Sequence, residues 1–145
     1  MFDKGLFVFR RDLRLVDNVG LNQAWKQCKK VFVCFIFTPE QVTNNEFKSN
    51  NAVQFMIESL DELRKKVRSK GGELYTFYGK QHQVISGLID ELNVDAVFFN
   101  KDYSPYALKR DKQIEELCSK KEISCNIHQD YYLYEPGTII TSTGD

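Results

Sequence analysis

Residues 5–21 read Gly5-Leu6-Phe7-Val8-Phe9-Arg10-Arg11-Asp12-Leu13-Arg14-Leu15-Val16-Asp17-Asn18-Val19-Gly20-Leu21, and they pass from an unbroken apolar run through a dense polar cluster to a helix start. Leu6 to Phe9 is too short for a helix and does not alternate, which is the mark of a strand buried on both faces of a parallel sheet. Val31 to Phe37 and Ala96 to Phe99 repeat that mark. These three runs are predicted as central strands. Glu73 to Tyr78 and Ile123 to Ile127 are mixed, and in the second the apolar groups fall at Ile123, Cys125 and Ile127 with Ser124 and Asn126 between them, so both suit sheet edges.

Between the runs the apolar period changes from two to about 3.6. Leu21, Ala24, Trp25 and Cys28 form one such stripe, and Val53, Met56, Leu60, Leu63 and Val67 form another. Val84, Ile85, Leu88, Ile89 and Leu92 make a third; Ala107, Leu108, Ile114, Leu117 and Cys118 make a weaker fourth. Asp17 and Asn50 suit helix N-caps, Ser104 with Pro105 is an N-cap and N1 pair, and Gly71 suits the end of the longest helix. Alternating β and α units with right-handed crossovers imply an α/β domain with helices on both faces of a parallel sheet. Two edge strands and three central ones fit a Rossmann-like five-stranded sheet of order 3-2-1-4-5. The domain is expected over residues 1–128. Residues 129–145, which lose all period, are expected to be an extended tail leading toward an interdomain linker.

The chain has 145 residues, enough for one domain with a real core. Its 20 Lys and Arg against 20 Asp and Glu give a formal net charge of zero, which speaks against a polyelectrolyte-type nucleic-acid binder. Strong direct DNA binding by this chain is therefore not expected. Lys65, Lys66, Arg68 and Lys70 are explained as cations complementing the carbonyl end of a helix. No apolar run reaches the ~18 residues of a membrane span and no secretory signal opens the chain, so an intracellular, unsecreted protein without a membrane role is expected. Cys28, Cys34, Cys118 and Cys125 lack metal-ligand spacing and are read as reduced, buried thiols; no metal is expected.

In an open α/β sheet, ligands bind beyond the carboxyl ends of the strands where the winding reverses. For order 3-2-1-4-5 that crevice lies between the first and fourth strands. Arg10, Arg11, Asp12, Leu13 and Arg14 would enter it from one side, and Asn100, Lys101, Asp102 and Tyr103 from the other. The plainer alternative is solvated loops plus one buried Arg–Asp clamp. No GxGxxG or GxxxxGK[ST] is present, so phosphate binding through a glycine turn is not expected there. His82 and His128 do not form a catalytic constellation with Ser, Cys or Asp, and no catalytic residue is assigned.

The stretch Phe9 to Leu21 resembles the opening signature FRxDLRLxDNxxL of the DNA photolyase and cryptochrome family. Phe55-Met56-Ile57-Glu58-Ser59-Leu60 resembles its FLxESL helix. Asn100-Lys101-Asp102-Tyr103-Ser104-Pro105-Tyr106 with Arg110-Asp111 resembles the segment after the fourth strand, and Pro136-Gly137-Thr138 with Thr143-Gly144 resembles the run before the interdomain linker. The resemblance implies the amino-terminal, antenna-type α/β domain of a photolyase-like protein, linked to light-dependent DNA repair. FAD and the repair chemistry of a deoxyribodipyrimidine photolyase belong to a helical domain that follows in the family. The chain alone is thus expected to be non-catalytic, with a separately encoded flavin-binding helical domain as its expected partner. A cryptochrome-like interaction or signalling module is the alternative.

For the antenna, the folate-binding Asn-Glu pair is replaced here by Tyr106 and Ala107. The deazaflavin-type pattern keeps Asn100, Asp102, Pro105 and Tyr106 but has Ser104 in place of its Glu. Weak binding of a deazaflavin or folate antenna is the expectation. Phe9, Phe35, Phe37, Arg11, Asn100, Asp102 and Tyr106 are the candidate chromophore contacts, with core packing as the competing role of the three Phe rings. Arg10, Asp12 and Arg14 are candidates for a clamp or for interdomain contact, the clamp falling to Asp12 and the contact to at least one Arg. Trp25 is expected in the core.

Overall fold

A computed structural model describes residues 1–10, 13–38 and 50–129, with only the backbone described for 50–53. Among the described residues nine elements alternate between strand and helix. They are β1 (Phe2–Phe9), α1 (Val19–Gln27), β2 (Cys28–Phe37), α2 (Asn50–Ser69), β3 (Leu74–Tyr78), α3 (Gln81–Leu92), β4 (Ala96–Asn100), α4 (Pro105–Lys120) and β5 (Ser124–His128). The strands form one sheet in the order β3-β2-β1-β4-β5, every neighbouring pair parallel, as the apolar runs predict. The tail beyond residue 129 lies outside the described residues.

The pleat sends alternate side chains to opposite faces. Phe7 and Phe9 of β1, Val33 and Phe35 of β2, and Ala96 and Phe98 of β4 pack on one face with Leu21 and Ala24 of α1 and with Leu60, Leu63 and Val67 of α2. Leu6, Val8, Cys34, Ile36, Val97 and Phe99 point the other way, against Ile85, Leu88 and Ile89 of α3 and Ile114 and Cys118 of α4. Burial on both faces is why these strands carry no polar alternation.

The caps agree with the sequence at two places and differ at another. Ser104 accepts from the Ala107 N–H at 3.1 Å with Pro105 at N1, and Gly71 leaves α2 at φ +86°, where the Gly72 N–H reaches the Val67 carbonyl at 3.1 Å. At α1 the cap is Asn18, whose side chain accepts from the Leu21 N–H, whereas Asp17 lies one residue earlier at φ +56°. Asn50 is the first residue of α2.

Two packing expectations are corrected. Trp25 is 46% exposed because the buried stripe of the nine-residue α1 is Gly20, Leu21 and Ala24, and position 25 falls one step round the helix from it. Leu108 is exposed for the same reason, next to the buried Ala107. Cys28 does not belong to α1: it opens β2 directly after Gln27. All four thiols are free; Cys28, Cys34 and Cys118 are buried and Cys125 partly so.

Candidate functional site

The strand alternation carries on past the last apolar residues and decides where the first polar ones go. Phe9 faces α1 and α2, so Arg10 turns toward α3 and α4; Phe99 faces α3 and α4, so Asn100 turns toward α1. Two polar anchors thus leave the carboxyl edge of neighbouring strands in opposite directions.

Arg10 lies with its guanidinium 4.0 Å from the Phe99 ring centroid, its Nη1 2.7 Å from Asp111 Oδ1, and the same Nη1 donating to the Asn100 carbonyl at 3.4 Å. Both ionic side chains are buried, at 7% and 6% exposure. Arg110 Nε reaches the same carboxylate oxygen at 3.3 Å. Burial pushes the Asp111 carboxyl above its ordinary range, with the two guanidiniums pulling back. Arg10 thus forms a buried clamp with Asp111; Arg11 and Asp12, and with them the clamp expected at Asp12, lie outside the described residues.

On the other face, Asn100 Nδ2 donates to Asn18 Oδ1 at 2.7 Å and Asn100 Oδ1 accepts from the Gly20 N–H at 2.8 Å. A Cβ on Gly20 would stand 2.6 Å from that oxygen, so the close approach of α1 to β4 needs glycine there. Asn18 also donates to the Arg14 carbonyl at 3.0 Å, which makes the β1–α1 turn part of the same network. Arg14 is half-buried and donates to the Asp17 carbonyl at 3.1 Å.

The remaining candidates separate. Phe9 and Phe35 are fully enclosed core residues, and Phe35 meets the partly buried Phe37 edge to face at 4.9 Å. The Phe9 and Phe35 rings are taken up by packing, whereas Phe37 lines an open concavity with Leu60 and Thr76. Asp102 is partly exposed, accepting from the Ser104 N–H at 3.4 Å, and Tyr106 keeps an exposed ring with the Arg110 guanidinium 5.7 Å from its centroid. Among the candidate residues described at this edge, Tyr106 offers an exposed ring and Asp102 a partly exposed carboxylate to a planar chromophore. His128, expected to be peripheral, stacks on Phe98 at 6.3 Å and its pKa is lowered by burial.

Asp111 went unassigned in sequence, yet a signal exists. Ala107, Arg110, Asp111, Ile114 and Cys118 are the buried residues of α4, so an ion pair stands in the middle of its apolar stripe. Gln81, buried at the start of α3 ahead of Ile85, Leu88 and Ile89, is a second polar residue in a buried stripe.

The DNA photolyase family model matches residues 6–145. The archaeal photolyase of Sulfolobus tokodaii, solved with two FAD molecules, superposes with a TM-score of 0.85 at 40% identity, covering 95% of this chain and 32% of that one. Cryptochrome-1 of Aedes aegypti is 32% identical over 142 residues, and the deoxyribodipyrimidine photo-lyase of a Synechococcus strain is 30% identical over 140. The matches cover 94% and 97% of this chain but only 26% and 29% of those relatives.

Proposed function

Since the chain belongs to the DNA photolyase family, we propose that it acts as the antenna-type α/β domain of a light-dependent DNA repair system and is not itself catalytic. The observation that carries this reading is the likeness to the archaeal photolyase, which extends over nearly the whole chain. A planar chromophore, a deazaflavin or a folate, would lie at the carboxyl edge of the sheet, with the exposed Tyr106 ring against its face and Asp102 accepting from its edge. Arg14, at the β1–α1 turn, is our candidate for contact with a flavin-binding helical domain; Arg10 is held in its buried pair instead. Repair by electron transfer would require the FAD of such a domain.

The test is to titrate the purified chain with a deazaflavin and with a reduced folate by fluorescence, and to assay repair of a thymine-dimer oligonucleotide under blue light. Saturable binding weaker than about 1 μM that is reduced in Tyr106→Ala, with no repair by the chain alone, is the expected result. Repair by the chain alone, or no binding of either chromophore up to about 1 mM, would overturn the reading. The comparable likeness to a cryptochrome supports a second reading, a light-signalling module, which predicts light-dependent association with a protein partner in place of any link to repair.

A further inference from the structure

A second concavity lies on the α3–α4 face of the sheet, between the amino-terminal turns of those two helices. It has a volume of about 250 Å³ and is lined chiefly by Lys80, Gln81, His82, Tyr106, Lys109 and Arg110. Among the described residues no Asp or Glu stands in its wall. Arg110 keeps its 3.3 Å contact with Asp111 behind this wall, while Lys80 and Lys109 at the rim raise the local positive potential and so favour an anion.

Its floor adds two independent signs. Lys80 caps α3 without any side-chain hydrogen bond, and the Lys80 carbonyl takes the Gln83 and Val84 N–H groups. The N–H groups of Gln81 and His82 therefore remain at the positive end of a twelve-residue helix dipole without an acceptor among the described residues. Arg110 is 8% exposed; its Nε is used by Asp111, but its buried Nη2 has no hydrogen-bond partner, and neither has the buried Gln81 Oε1. A half-turn of the Gln81 side-chain amide would place its Nε2 donor where the unmatched Oε1 now stands. A buried guanidinium nitrogen and a buried amide left open cost free energy that a bound ligand recovers.

We propose that this cavity binds a phosphate dianion, held by the Arg110 Nη2 donor, the first N–H groups of α3, and Lys80 and Lys109 at the rim. The volume falls just below the ~300 Å³ at which pockets for drug-sized ligands begin, so it admits a phosphate with at most a sugar-sized group. The exposed Tyr106 ring at the mouth would stack a base attached to that group. Two sources share this chemistry, free phosphate and a nucleoside monophosphate. The site is separate from the β1–α1 turn, where glycine-loop nucleotide binders hold phosphate.

Isothermal calorimetry of the full chain at low salt, with inorganic phosphate and with AMP as probes, tests the proposal. Binding of either probe tighter than about 1 mM, weakened at least roughly tenfold by the double charge reversal Lys80→Glu and Lys109→Glu, is expected. Both lysines are exposed, so the variant should fold, and unchanged circular dichroism checks that it does. If AMP binds roughly tenfold tighter than phosphate and Tyr106→Ala abolishes only that advantage, a nucleotide is the source; equal affinities assign the site to free phosphate. No binding of either probe, binding indifferent to the charge reversal, or capture of a single-stranded oligonucleotide but of neither small probe would overturn the proposal.

Discussion

Arg10 and Asp111 are each in a position where removing the partner is worse than removing both. With side chains only 7% and 6% exposed, a lone Asp111 would keep just the 3.3 Å contact to Arg110 Nε, and its desolvation would be offset less well. Arg10→Ala is therefore expected to lower stability by about 3 kcal/mol, while Arg10→Met combined with Asp111→Leu should lose much less, because no buried charge is stranded. Urea unfolding of Arg10→Met, Asp111→Leu and their double gives the coupling; equal losses in each single and the double would remove the pair from the fold's supports. Gly20 makes a sharper geometric demand. The added methyl of Gly20→Ala would meet Asn100 Oδ1 at 2.6 Å and a Phe7 ring carbon at 3.0 Å, so α1 must retreat from β4 at a cost of about 1–3 kcal/mol. Adding Asn100→Ala to that variant removes the obstructing oxygen, and the two losses should then sum to less than their separate values. Cys34 completes this scale: burial pushes its thiol up to about 12, so alkylation near neutral pH should leave it unmodified in the native chain, as mass spectrometry of the peptide can check.

β5 shows what an edge element contributes beyond its ladder. It is partly buried along its whole length, and its last residue, His128, lies parallel to the Phe98 ring at an interplanar angle of 6° with its Nε2 buried and unpartnered. Burial lowers the His128 pKa, so below the ordinary value near 6.5 the unfolded chain takes up this proton more readily than the folded one. Its contribution to stability is thus full above pH 6.5 and is lost as pH falls through the window between that value and the depressed one. His128→Phe should flatten this part of the pH profile; urea midpoints at pH 7.5 and 5.5 that move in parallel for both proteins would contradict the assignment. Elements of this kind were readable in sequence to the extent that burial dictates them. The central strands had to be apolar on both faces, so their runs announced them, and Ser104-Pro105 and Gly71 carried their roles in their own chemistry. The boundary between α1 and β2 was not readable, because Cys28 satisfies the helical stripe as well as the strand that opens on it. Nor was the pairing of Arg10 with Asp111, since Asp111 is brought to it only when α4 packs back on the sheet.

For the whole molecule the decisive quantity is where the cations go, since equal numbers of acidic and basic side chains leave no surplus. The basic end of α2 is read in sequence as complementing the carbonyl end of the helix and not as a patch for a polyanion. In the structure Lys65 pairs with Asp61 at 3.2 Å, Lys66 with Glu62 at 3.5 Å and Arg68 with Glu73 at 3.2 Å, all on the surface. Such exposed pairs add little to stability, but each places a carboxylate beside the cation that a phosphate would otherwise attract. A duplex approaching this helix would exchange counterions for few net contacts, and the electrostatic part of its affinity would be correspondingly small. The expected result is a dissociation constant for duplex DNA weaker than about 100 μM at physiological salt, read by fluorescence anisotropy. The triple variant Asp61→Asn, Glu62→Gln, Glu73→Gln should tighten it and make it steeply salt-dependent, because the same lysines and arginine then face solvent without their neighbours. Tight, salt-dependent binding by the unaltered chain would mean that these pairs open on contact with a duplex; weak binding would mean that the neighbouring carboxylates hold the cations back from a phosphate backbone.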